Sequence, residues 1–121
     1  MPQYGVLVYA PAPADPDALS AEYLAQLDRY SAQAEELGGK ILGGSYFSGQ
    51  RGFAFEPSTT ATAVRGDAVT SGPLVESDLV ASAFFVLRAP DLDAAVRIAR
   101  LHPATRDGGV EVRPLFSAPA R

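Results

Sequence analysis

The chain has 121 residues, of which 47% are hydrophobic and 20% charged, the proportions of one globular domain built on a single core, here taken to span 1–121. Fourteen acidic against ten basic side chains leave a net charge of -4, which speaks against a nucleic-acid-binding face, and the absence of cysteine excludes disulfides, thiolate catalysis and cysteine-based zinc sites together. Met1-Pro2-Gln3-Tyr4 lacks the basic region of a secretory leader, and no apolar run nears the roughly 18 residues of a membrane span, so a cytoplasmic protein with no membrane partner is expected.

Tyr4-Gly5-Val6-Leu7-Val8-Tyr9 is short, β-branched and aromatic and stops at the Pro/Ala/Asp-rich stretch Pro11 to Asp17; it reads as a first strand followed by a loop. Ser20 is placed to cap a helix with Glu22 in its first turn, and Tyr23, Leu24, Leu27, Tyr30, Ala34 and Leu37 recur at spacings of three and four up to Gly38-Gly39, an amphipathic helix with a glycine stop. Lys40 to Phe47 reads as a second strand weakened by Gly43 and Gly44, and Ser48 to Ser58 as a long loop carrying Phe53 and Phe55, either tucked under the loop or covering a pocket.

Thr59 to Arg65 reads as a third strand, Gly66-Asp67 as a turn and Ala68-Val69-Thr70 as its short return, a hairpin. Leu79 to Leu87 is apolar apart from Ser82, whereas a strand with one wet face would alternate. Pro90-Asp91 opens a second helix with Leu92, Ala95, Val96, Ile98, Ala99 and Leu101 as its apolar stripe and Arg97 and Arg100 outward, stopping before Pro103. Val110 to Phe116 closes the chain as an alternating strand, its Pro114 marking an edge or strand end.

This order is a split βαβ plan, an α+β fold of the ferredoxin-like kind in which two helices pack on one face of an antiparallel sheet. The other face would carry apolar groups from Phe84-Phe85 and from strand one, a patch larger than monomers tolerate. A homodimer with sheets face to face, a dimeric α+β barrel, is therefore expected.

Few residues offer chemistry. His102 is the only histidine and the default general acid or base near neutral pH; the alternative is a residue at a helix C-terminus whose ring is satisfied by the last carbonyls. Glu76 and Asp78 follow the Ser71-Gly72-Pro73 turn, where a dimer cleft could desolvate a carboxylate, although solvated surface acids would look the same. Arg65 and Arg113 end strands and could hold an anionic substrate through their guanidinium forks, while Tyr4, Tyr9 and Tyr46 could present phenols to a cleft or fill the core. With no glycine-rich phosphate loop before a helix and one histidine, neither a dinucleotide nor a metal cofactor is expected.

The segment Thr70-Ser71-Gly72-Pro73-Leu74-Val75-Glu76-Ser77 resembles the Asp-Gly-Pro-Phe region of the YCII-related (DGPF) proteins. Thr59 to Arg65, Asp91-Leu92-Asp93-Ala94-Ala95 and Val110 to Leu115 are similar to that family's preceding strand, second-helix start and closing strand. The resemblance implies a dimeric α+β barrel of ferredoxin-like subunits, small-molecule acid-base chemistry at the dimer cleft in the wider superfamily, and a link of some members to alternative sigma factors. Ser71 and Leu74 stand where the family has Asp and Phe, and the first helix lacks the histidine of the family's His-Asp pair. The expectation is a small-molecule-binding homodimer, with a non-catalytic regulatory or protein-interaction module as the alternative.

Overall fold

The β-branched and aromatic start of the chain forms strand β1 (Gln3–Pro11), whose Tyr4, Val6 and Val8 point alternately into the core. The computed structural model describes residues 1–42 and 53–117. Helix α1 (Ala21–Glu36) begins where the Ser20 hydroxyl accepts the Tyr23 N–H at 3.0 Å. It ends in a left-handed Gly38 (φ 83°), with Gly39 N–H donating to Ala34 C=O and Gly38 N–H to Glu35 C=O, the pair of bonds that satisfies a helix's last carbonyls.

Strand β2 (Lys40–Leu42) and strand β3 (Phe53–Ala54) lie one after the other on the same edge of strand β6 (Leu79–Arg88). The remainder of the expected second strand, with Gly43, Gly44 and Tyr46, lies outside the described residues. Part of the expected long loop is thus strand: Phe53 pairs with Phe84 and stacks on its ring at 4.8 Å, because an aromatic residue that reaches a bare strand edge gains both backbone bonds and ring contact. Strands β4 (Thr62–Arg65) and β5 (Ala68–Ser71) form a separate two-stranded sheet, and Thr59 and Thr60, read as the start of the third strand, belong to a 3-10 turn, Ser58–Thr60.

Helix α2 (Leu92–Arg100) starts where the Asp91 carboxylate accepts the Ala94 N–H at 2.8 Å. Of the expected apolar stripe Ala95, Ile98 and Ala99 are buried, joined by Ala94, while Leu92, Val96 and Leu101 are exposed. Alanines let the helix backbone sit close on the sheet, and the larger side chains are left at the flank. Arg97 and Arg100 do face outward. Strand β7 (Gly109–Pro114) then forms an edge of the sheet.

The sheet order β2-β6-β1-β7, with every pairing antiparallel, is the ferredoxin-like arrangement expected. Both helices cover one face, where Val6, Val8, Phe85 and Leu87 meet Tyr30, Ala34, Ala95 and Ile98. The Tyr30 hydroxyl donates to Ile98 C=O at 2.9 Å and ties α1 to α2. Tyr30→Phe deletes one buried hydrogen bond but leaves that carbonyl its bond from Leu101 N–H. It should therefore cost about 1 kcal/mol in a urea titration; a loss near zero would show that the bond contributes nothing.

Candidate functional site: a groove on the open sheet face

No helix among the described residues covers the other face. Directly paired residues share a face, and the register places Leu42, Val86, Gly5 and Arg113 in one row of it and Phe53, Phe84, Leu7 and Glu111 in the next. The face is therefore apolar across its centre. At the β7 edge, Arg113 donates to the Glu111 carboxylate at 2.7 Å.

One irregularity shapes this surface. Val8 pairs with Ala83 but Tyr9 pairs with Ala81, so Ser82 is an extra residue in β6, its hydroxyl donating to Val8 C=O at 3.3 Å. Ala83 shares the helix side with Val8, and plain alternation would put Ala81 there too. The bulge reverses the phase: Ala81 and Leu79 turn to the open face beside Tyr9, and Val80 goes into the core.

The residues turned outward line a groove of about 470 Å³ with Tyr9, Pro73, Val75 and Ser77. Its far wall is the chain after β5. Gly72 takes φ 103°, a conformation that side chains with a Cβ avoid, and its N–H bonds Ala61 C=O at 2.7 Å. From there alternate residues Val75, Ser77 and Leu79 line the groove, while Glu76 and Asp78 between them are solvent-exposed. Asp78 C=O accepts from Ala12 N–H at 2.9 Å and fastens this wall to the end of β1.

Of the residues singled out from the sequence, Pro73 lines the groove and Ser71 and Gly72 lead into it. Arg65 is exposed on the β4–β5 hairpin and is not part of the lining; Arg113 is engaged with Glu111. Tyr46 lies outside the described residues. Of the tyrosines offered as cleft phenols, Tyr9 lines the groove and Tyr4 is buried in the core; Leu79 and Ala81 are lining residues that sequence patterning did not single out, since a bulge decides which way they point.

His102 is elsewhere. It is 5% exposed, sits between the helices and the sheet, and packs its ring against Tyr30 at 5.0 Å, Phe85 at 6.3 Å and Tyr23 at 6.5 Å. Its Nδ1 accepts the Ala104 N–H at 3.1 Å, capping the 3-10 turn Pro103–Thr105; the ring is held by a donor of the following turn, not by the carbonyls of α2. Accepting at Nδ1 puts the proton of the neutral ring on Nε2. Burial pushes the imidazole down from 6.5 to about 4, and burial also drives the Tyr30 phenol well above its ordinary range. No hydrogen bond or ion pair among the described residues joins His102 to Glu76 or Asp78.

The profile of the YCII-related domain matches residues 6–118. The chain belongs to the YCII-related domain family. No curated protein sequence matches it. The match takes in both helices, all the strands from Val6 onward and the groove, so this YCII-related chain carries its candidate site wholly inside the family domain. Among the described residues no cluster of His, Asp and Glu is placed to hold a metal ion, and no helix is long and apolar enough to cross a membrane.

Proposed function

We propose that this YCII-related protein binds a small apolar metabolite, aromatic or carbonyl-bearing, in the groove, and that a second copy of the chain closes the open sheet face over it. The observation that carries this reading is the bulge at Ser82, which turns Leu79 and Ala81 out of the core to complete an apolar lining with Tyr9, Pro73 and Val75. A volume of about 470 Å³ suits a small molecule, and a lining with few polar groups is usual for such sites. The Tyr9 phenol and the Ser77 hydroxyl supply those groups here. The apolar rows through Phe84 and Leu7 favour a two-fold partner of the same kind.

Proton transfer in this groove would fall to Glu76 or Asp78, which alternate with its lining residues, rather than to His102, whose ring is enclosed in the core. Catalysis is a second step beyond binding, and it needs the partner's surface to desolvate one of these carboxylates.

Prodan, an uncharged aromatic ketone whose emission shifts in apolar surroundings, tests the binding reading. The protein should bind it saturably, and Ala81→Trp, at an exposed position that fills the groove without entering the core, should weaken binding by about tenfold or more. No saturable binding, or equal binding by the variant, contradicts the reading and favours a non-catalytic interaction module of the sort that works beside an alternative sigma factor.

A further inference from the structure

We propose that a polar depression on the helical side of the protein is a second binding site, one for a small multiply charged anion bearing phosphate or carboxylate groups. Its walls are the end of α2 and the middle of α1, and its volume is about 250 Å³, room for a compact ligand and not for a polymer. Gln26, Arg29 and Gln33 face it from α1, at the spacing of three and four that aligns side chains on one helix face; Arg100, Thr105 and Arg106 face it from the other side.

Three of the ten basic residues of an acidic chain thus converge on one small space. Their compensation is slight. Arg29 and Arg100 form no ion pair among the described residues, and Arg106 meets only Glu22, at 3.5 Å between two well-exposed side chains, a contact of little worth. The net charge of -4 therefore conceals a local excess of positive charge. The dipole of α2 accounts for basic residues in its last turn, which holds both Arg97 and Arg100. It does not account for Arg29 in the middle of α1 or Arg106 beyond the 3-10 turn.

Three guanidinium groups on the two walls of the depression, with amide and hydroxyl groups beside them, match an anion with several oxygens, whether phosphate or carboxylate. This site lies on the side of the sheet away from the groove, so it neither requires the dimer nor is covered by it.

Calorimetric titration at low salt, with inorganic pyrophosphate in one arm and citrate in the other, tests the proposal. Saturable binding of pyrophosphate alone would identify a phosphate-bearing ligand class, of citrate alone a polycarboxylate class, and either result supports the site. Arg29→Gln with Arg100→Gln should weaken the bound probe about tenfold or more, while Arg65→Gln with Arg97→Gln, which removes the same charge outside the depression, should leave it near the parent value. Absence of saturation with both probes, or equal loss in the two double variants, would overturn the assignment.

Discussion

Between pH 6.5 and pH 4 the folded protein is expected to lose about 3 kcal/mol of stability through His102 alone. In the unfolded chain this imidazole titrates near 6.5; burial lowers it in the folded state to about 4. Within that window the unfolded state takes up a proton that the folded state refuses, so stability is complete above pH 6.5, falls as the pH is lowered, and levels off once both states are protonated. A gap of that size corresponds to about 3 kcal/mol.

The ring meets Tyr23, Tyr30 and Phe85 and no carboxylate, so nothing stabilises the cation in place. His102→Asn keeps an acceptor for the Ala104 N–H and removes the titration. It will lower stability at neutral pH by leaving space in the core, but its urea-unfolding free energy should vary much less between pH 6.5 and pH 4 than the parent's at the same protein concentration. A variant that retained the parent's slope would show that His102 is not the group responsible.

Phe84→Asp is expected to convert the proposed dimer to a folded monomer. Phe84 stands at the centre of the open face, stacked on Phe53 and tilted against Phe55 at 5.6 Å, and a carboxylate there would be buried by the proposed second copy without a counter-charge. The dissociation constant should rise by about a thousandfold or more. Because the helix-side core does not include this residue, the circular dichroism spectrum should match the parent's. A variant with the parent's mass at the same concentration would contradict the proposed pairing through this face.

The parts of the fold that depend on local chemistry were legible in the sequence. Ser20 and Asp91 cap the helices they were expected to start, and Gly38-Gly39 closes the first. The run of β6, apolar apart from Ser82, told of a strand with no polar face, and two helices against one sheet face follow from the order of elements. The rest turned on tertiary context. A one-residue bulge at Ser82 has no strong local signature, yet it decides that Leu79 and Ala81 line the groove.

Phe53-Ala54 pairs with β6 because an edge was available, which a short segment between glycine and proline does not announce. The expected stripe of α2 was right in Ala95, Ile98 and Ala99 but took in Leu92, Val96 and Leu101 as well, whereas close packing added Ala94 and left those three exposed. His102 follows a helix in the sequence, as surface histidines often do, and only the packing of α1, α2 and β6 around it shows a buried cap. Val75 and Ser77 were in view as part of the family-like segment, but their alternation with Glu76 and Asp78 acquires meaning only once the segment is extended beside Tyr9.

The mass of the unmodified protein by multi-angle light scattering at micromolar concentration tests the central claim most directly, since the closure of the groove rests on a second copy covering the open sheet face. A mass of twice 12.7 kDa, reduced to the single-chain value by Phe84→Asp, is the result expected. A parent protein that runs as one chain of 12.7 kDa would contradict it.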